Sequence, residues 1–340
     1  MQIQENISLK PYNTFGIDVT AKYFTSFSSF TELTEIVSNP KVFSNGHPLI
    51  LGGGSNILFT QNISQCVLKN NLKGIELVGE DEDHWFIKAN AGEIWHELVC
   101  FCVENGYNGL ENLSLIPGNV GASPMQNIGA YGVEIKDVFH ELEAYHLYDK
   151  IVVTFNLNDC GFGYRESVFK QQFKNQFVIL NVTYKLSKKQ AFNISYGAIE
   201  KELASMGVTE LSSKAIAQAV INIRTSKLPD PKKVGNAGSF FKNPQVSKFR
   251  HHVLWEQYPQ IPAYPLQDNM YYKLAAGWLI EQCGWKGYRK GDAGCYNLQA
   301  LVLVNYGTAF GKEIYDLSEE IIQSVYNQFG VTLEREVNIF

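Results

Sequence analysis

The sequence predicts a protein of mixed helices and strands, α/β or α+β, in two or three domains. Helix-like and strand-like hydrophobic periods alternate through most of the chain, and no segment repeats at a fixed period or falls to low complexity. The 340 residues are 45% hydrophobic, enough for a substantial core and too many for a disordered or fibrous chain. The 28 glycines outnumber the 11 prolines and gather in a few loops, where backbone must bend or meet a ligand closely.

Each expected element has a local reason. Ser28 and Ser29 precede Phe30, Leu33, Ile36 and Val37, the pattern of a capped amphipathic helix. Residues 48–51 read as a short buried strand running straight into Gly52-Gly53-Gly54-Ser55-Asn56. Residues 85–91 read as a strand, 94–103 as a helix stopped near Gly106, and 177–186 as a long alternating strand. A helical run over 212–224 ends in Lys227-Leu228-Pro229-Asp230-Pro231-Lys232-Lys233, whose linker composition sets a domain boundary near 224–235. Beyond it the pattern predicts a helix over 273–283 ending at Gly284, a strand over 301–304, a helix over 317–329 ending at Gly330, and a final strand. In that last strand Val331, Leu333, Val337 and Ile339 share a face with Arg335, while Glu334, Glu336 and Asn338 share the other.

Charge excludes some function classes. Against 34 Asp+Glu stand 29 Lys+Arg, a net charge of −5, so no global basic field exists to hold nucleic acid or an anionic membrane. Any anionic ligand must be held locally. The first twenty residues lack the apolar core of a secretory signal, and no stretch reaches the length of a bilayer span, which predicts an intracellular, cytoplasmic protein. Six scattered cysteines without a CxxC fit reduced thiols, and the seven histidines show no metal-ligand spacing, so no metal is expected.

Four glycine-bearing segments stand out. Gly52-Gly53-Gly54-Ser55-Asn56 offers consecutive unhindered amides after a strand, which suits either a tight turn or a pyrophosphate cradle. It matches neither GxGxxG, since position 57 is Ile, nor a Walker loop. A second run, from Ile116-Pro117-Gly118 through Gly121 to Gln126-Asn127-Ile128-Gly129-Ala130-Tyr131-Gly132, is long, irregular and rich in small residues, and two such loops suit a large dinucleotide. Gly161-Phe162-Gly163-Tyr164-Arg165-Glu166 sets an arginine among aromatics, where it could grip a carboxylate or simply pair with Glu166. Asn236-Ala237-Gly238-Ser239-Phe240-Phe241 places a serine beside two aromatics; GxSxG is not matched, and on its own this serine reads as a cap or turn residue.

Taken in order, these segments resemble the UDP-N-acetylenolpyruvoylglucosamine reductase family almost end to end. The likeness is carried by Leu9-Lys10-Pro11-Tyr12-Asn13-Thr14-Phe15-Gly16, Ile50 to Asn56, Gly109-Leu110-Glu111-Asn112-Leu113 with Ile116-Pro117-Gly118, Gln126 to Gly132, Phe162-Gly163-Tyr164-Arg165, and Asn236 to Pro244. The resemblance implies an α+β fold: a two-part FAD-binding unit of the vanillyl-alcohol-oxidase (PCMH) type over 1–70 and 71–224. It further implies a smaller α+β substrate domain over 225–330 and a C-terminal strand over 331–340 carrying a catalytic glutamate. Residues 263–287, with Tyr264, look like the longer substrate-domain form of the family, with a tyrosine-bearing lid.

The resemblance also implies roles. Noncovalent FAD would be held by Gly52, Gly53, Gly54, Ser55, Asn56, Gly118, Ser123, Gln126, Ile128, Gly129 and Arg224, with NADPH as hydride donor. Tyr131, Tyr196, Lys227, Asn243, Tyr264, Lys286 and Gln299 would contact a UDP-sugar substrate, and Arg165, Ser239 and Glu336 would be catalytic. No protein partner is implied. Two positions depart from the family pattern: Ala122 stands where serine is frequent, so that one flavin hydrogen bond is either missing or supplied by Ser123, and Asn338 stands where relatives can carry arginine. Two rival readings are an FAD-dependent oxidase of another sugar or alcohol and a nucleotide-binding module without catalysis; the first has no reason to carry Ser239 with Tyr196, Lys227 and Tyr264.

Overall fold

The computed structural model describes residues 2–266 and 269–340. Its contacts divide the chain into two units. The first comprises 1–7, 20–54 and 63–226, and the second 8–19, 55–62 and 227–340.

The first unit holds two sheets. In one, Thr20–Phe27, Ile63–Asn70 and Leu49–Leu51 run parallel, with Gln4–Ser8 on the outer edge of Thr20–Phe27. The helix Phe30–Val37 begins as its sequence dictates, with Ser29 Oγ accepting from Glu32 N–H (3.2 Å) and Glu32 returning a carboxylate oxygen to Ser28 N–H (2.6 Å). It buries Leu33, Ile36 and Val37 against Phe27, Cys66 and Leu68. The other sheet is antiparallel, in the order Val152–Asn156, Phe139–His146, Phe177–Ser187, His84–Asn90, Ile75–Glu80. Its central strand, Phe177–Ser187, was expected to alternate. Instead it is buried on both faces, Val178 and Leu180 in one core and Val182, Tyr184 and Leu186 in another, because helical or sheet layers cover it on each side. The helix Trp95–Glu104 packs Trp95, Leu98, Val99 and Cys102 into that second core. Two further helices, Gly197–Ser205 and Ser213–Lys227, close a small core with Tyr131, Phe192 and Ile194.

The second unit is built on an antiparallel sheet ordered Gly235–Ser239, Val302–Asn305, Ala293–Cys295, Arg289–Lys290, backed by the helix Gly311–Phe329. A smaller sheet of Gln245–Ser247, Tyr271–Leu274 and Ala263–Pro265 accompanies it. Two expected boundaries move. Residues 271–274 pair as a strand, so the helix expected from 273 begins only at Ala276 and spans Ala276–Gln282. The last helix starts at Gly311 rather than 317, with Glu313 accepting from Phe310 N–H (2.7 Å) to close its first turn. The terminal segment keeps its alternation, Val331, Leu333 and Val337 buried and Glu334 and Asn338 exposed, but only Asn338–Ile339 forms a ladder, parallel to Ile57–Leu58.

The expected ranges put 8–19 and 55–62 with the cofactor-binding part, whereas their bonds lie in the second unit. Thr14 and Asn236 exchange hydrogen bonds (2.6 and 3.1 Å), Asn305 Nδ2 donates to Phe15 O (2.9 Å), and Thr60 N–H donates to Phe340 O (2.6 Å). Gly311 shows how tight that fit is: a Cβ there would stand 1.7 Å from the Phe59 carbonyl oxygen. Among the described residues no helix is long and apolar enough to cross a membrane.

Candidate functional site

The two glycine runs picked out in the sequence meet in the first unit. A Cβ on Gly53 would lie 2.6 Å from Asn119 Oδ1 and 2.9 Å from Gly118 Cα, so only hydrogen at 53 allows the loops to touch backbone to backbone. Gly118 sits at φ +118° and Gly54 at +64°, values that favour glycine. Asn119 Nδ2 donates to Gly92 O (2.6 Å), Gly121 N–H donates to Ala91 O (2.9 Å), and a Cβ on Gly121 would strike Ala91 Cβ at 2.6 Å. The result is a bare backbone cradle, the surface a dinucleotide pyrophosphate requires. These residues therefore fit FAD.

Arg165 is also in the first unit, and its surroundings are unusually constrained. Its Nη2 donates to Gly129 O (2.6 Å), and Lys170 Nζ donates to its own carbonyl (3.1 Å). Arg165 (φ +57°), Asn127 (+44°) and Tyr131 (+51°) all adopt the left-handed region that side chains disfavour, and such strain gathers at functional sites. Asn127 holds the group together. Fully buried, it donates from Nδ2 to Glu134 Oε2 (3.0 Å) and Gly163 O (3.0 Å), and its Oδ1 accepts from Lys136 N–H (3.0 Å). Sequence reasoning passed over Asn127, although an asparagine inside a glycine-rich run is a polar residue that must be fully bonded once buried.

Tyr131 rests edge-on against Tyr196 (5.3 Å between ring centres) and lies beside the Arg224 guanidinium. Burial pushes the Tyr131 phenol above its ordinary pKa, opposed by Arg224. Arg224 also donates from Nε to Leu115 O (3.3 Å), so three of the expected ligand residues are joined in one network around 112–131. Ser123 faces inward. It is 1% exposed and its hydroxyl bonds the buried Tyr184 hydroxyl at 2.8 Å, because the turn after Val120 points that side chain into the core. Ala122, its neighbour, is the exposed one.

The second unit carries Ser239 and Glu336 and brings them together. Gly238, at φ +69°, kinks the strand and interrupts its register against Val302–Asn305, so Ser239 is exposed while Phe240 and Phe241 are buried. Asn236, which sequence reasoning treated only as part of a motif, fixes that kink by accepting from Gly238 N–H (2.9 Å). Phe240 O then accepts from Glu336 N–H (2.8 Å), which sets the two candidates on adjacent backbones. Asn56 Nδ2 donates to Glu336 O (3.3 Å), while Asn338 donates to Asn56 O from its amide (3.1 Å) and its side chain (3.0 Å). Asn338 thus secures the segment bearing Glu336. The other carboxylate of the polar face, Glu334, is bonded to Lys242 Nζ (2.5 Å), which separates it from Glu336 in role.

The remaining substrate candidates also lie in the second unit. Asn243 Oδ1 accepts from Ala276 N–H (2.9 Å), Gln299 Oε1 from Leu301 N–H (3.3 Å), and Lys286 is paired with Glu281 (3.0 Å). Tyr264 is half exposed on the edge strand Ala263–Pro265, and Lys227 is the exposed last residue of its helix. Among the described residues no group of three or more His, Cys, Asp or Glu is placed to hold a metal.

Comparison with known proteins defines first the class. Residues 42–153, which include both glycine loops, match a family model described as an FAD binding domain, and the fold is accordingly that of an α+β flavoprotein. Residues 230–340 match the C-terminal domain of UDP-N-acetylenolpyruvoylglucosamine reductase. Curated proteins of that name from Amoebophilus asiaticus (50% identical, covering 100% of this chain and 99% of theirs) and Flavobacterium johnsoniae (48%, 100% of both) align throughout. A relative from Pseudomonas putida is 47% identical over 100% of this chain and 99% of its own. The chain belongs to the UDP-N-acetylenolpyruvoylglucosamine reductase family. A crystal structure of the enzyme from Thermus caldophilus shares the fold, with TM-score 0.68 at 23% identity over 100% of this chain and 99% of that one.

Proposed function

We propose that this chain reduces the enolpyruvyl ether of UDP-N-acetylglucosamine to UDP-N-acetylmuramate with NADPH, using noncovalent FAD, in cytoplasmic peptidoglycan precursor synthesis. The observation that supports it most is near-half identity to curated members over the whole chain, including the Ser239 and Glu336 segment. An oxidase sharing only the cofactor unit would have no need of that segment.

FAD supplies a hydride carrier between NADPH and the methylene carbon of the enolpyruvyl group. Hydride arriving at that carbon breaks the C=C π bond and leaves an electron pair on the neighbouring carbon, delocalised into the carboxylate. Arg165, already oriented by Gly129 O, pairs with that carboxylate as its charge grows. Ser239 gives its hydroxyl proton to the carbon bearing the pair, and Glu336 orients the acid group and restores the proton to the serine. Over the cycle NADPH and one proton are consumed and NADP⁺ and the saturated ether are formed. Serine is a weak acid, but a carbanion is a base strong enough to take its proton.

The test is optical. Purified protein should be yellow, lose its colour with NADPH and regain it with the enolpyruvyl sugar nucleotide, and release free flavin on denaturation. Protein that neither holds nor takes up FAD, or whose bleached form is indifferent to that substrate, refutes the proposal.

Lys227, Tyr196 and Tyr264 are proposed to hold the UDP diphosphate away from the reacting carbon. Lys227→Ala, Tyr196→Phe and Tyr264→Phe should therefore raise KM more than they lower kcat, the mark of lost uniform binding. Steady-state kinetics with unchanged KM in all three would remove the diphosphate assignment.

A further inference from the structure

The opening of the helix Trp95–Glu104 grips the segment 113–118 at three points. Trp95 Nε1 donates to Leu113 O (2.9 Å), Leu115 N–H donates to His96 Nδ1 (3.0 Å), and Trp95 N–H donates to Gly118 O (3.0 Å). Arg224 Nε adds a fourth bond, to Leu115 O (3.3 Å). Leu115 is thus held at both of its peptide groups, and it needs to be, because its φ of +58° is a conformation that branched L side chains resist. Three residues later the same segment becomes Gly118, whose Cα meets Gly53 in the bare cradle.

Three of these four bonds are donated to carbonyls and are indifferent to mild acid. The bond from Leu115 N–H is different, because it requires a lone pair on His96 Nδ1. We propose that His96 is a positioning residue of the cofactor site: its unprotonated Nδ1 holds Leu115 in the left-handed turn that presents 116–118 to FAD, and a proton on the ring loosens the cofactor. This rests on the assignment of Gly53 and Gly118 to FAD made above.

The surroundings favour the neutral ring. Burial lowers the pKa of His96 below its ordinary value, and the Arg224 guanidinium acts in the same sense; Glu97 on its own helix opposes them. The Cys100 thiol, 3.7–3.9 Å from the ring nitrogens, is itself pushed up by burial and carries no charge near neutrality. A depressed histidine keeps the bond intact above its ordinary pKa of about 6.5 and loses it as the pH falls through its own, lower value.

Flavin fluorescence titrations of FAD-free protein between pH 8 and pH 5 test the proposal. The dissociation constant should be flat above about pH 6.5 and then rise, by up to about tenfold per pH unit below the pKa of His96. By linkage, FAD should lower the His96 pKa read from its imidazole NMR signals. His96→Asn, whose Oδ1 accepts a hydrogen bond without titrating, should keep the pH 8 affinity and lose the acid limb. His96→Leu should bind FAD about tenfold more weakly than the wild type at pH 8, the worth of one hydrogen bond, with no acid limb of its own, and adding Leu115→Gly, which turns left-handed freely, should restore most of it. An unchanged acid limb in His96→Asn, or wild-type affinity in His96→Leu, overturns the proposal. Wild-type protein that binds no FAD at pH 8 would instead refute the cofactor assignment.

Discussion

Ser239→Ala is expected to leave bleaching by NADPH nearly intact and to slow reoxidation by the enolpyruvyl substrate by about 10²–10⁴-fold, the usual worth of a positioned proton donor. The half-reactions separate because the serine has no task until hydride has reached the substrate. Its position supports such a substitution as a clean probe: the side chain is exposed, and the kink beneath it is made by Gly238 and Asn236, which the change leaves alone. Ser239→Cys keeps an acidic proton in similar geometry and should recover part of the rate, which a serine needed only for a turn would not require. Stopped-flow absorbance decides the matter. Equal slowing of both half-reactions, or normal reoxidation in Ser239→Ala, removes Ser239 as the donor.

Gly53→Ala should weaken FAD about 10- to 100-fold, as expected when overpacking costs about 1–3 kcal/mol and that cost falls on the cofactor loops. The added methyl has nowhere to go. It would stand 2.6 Å from Asn119 Oδ1, on an amide held in place because its Nδ2 donates to Gly92 O, and 2.9 Å from the Gly118 backbone, so one loop must withdraw from the other. Gly197→Ala is the matched control, since a Cβ there meets nothing within 4 Å, and it should bind FAD as the wild type does. Equilibrium titration of the FAD-free proteins, with thermal unfolding to confirm that both variants fold, gives the comparison. Equal affinity in Gly53→Ala and wild type would mean that the contact of the two loops does not shape the cofactor site.

What the sequence made legible was local. The Ser29 cap, the glycine stops at Gly106 and Gly330 and the alternation of Val331, Leu333 and Val337 depend on near neighbours, and each has its expected form. The glycine runs were recognisable as loops, and the order of motifs pointed to the family. What remained hidden was set by distant parts of the chain. Nothing near residue 53 says that its missing side chain makes room for Gly118. Nothing near Asn127 says that its amide will join Glu134, Gly163 and Lys136. Ser123 looked like a replacement for the serine absent at 122, but the direction of a hydroxyl is decided by the turn, which aims it at Tyr184. The helix expected at 273 failed for a similar reason, since Tyr272 and Lys273 have β-strand partners on both sides that only the folded chain supplies.

The membership of 8–19 and 55–62 in the second unit imposes an order of events during synthesis. Residues 1–7, 20–54 and 63–226 have every other segment of their unit available once the chain has passed Ser226. The strip 55–62 does not: Ile57 and Leu58 wait for Asn338 and Ile339, and Thr60 waits for Phe340. At ribosomal rates of about 5–20 residues per second, the intervening chain takes about 15–60 s to emerge. Only for the last part of it, from Ser226 to the end and about 6–23 s at the same rates, is the first unit complete in sequence while the strip 55–62 still lacks its partners, and the segment bearing Glu336 locks last. A nascent chain therefore carries every strand of its first unit before it carries the one that pairs with Ile57 and Leu58.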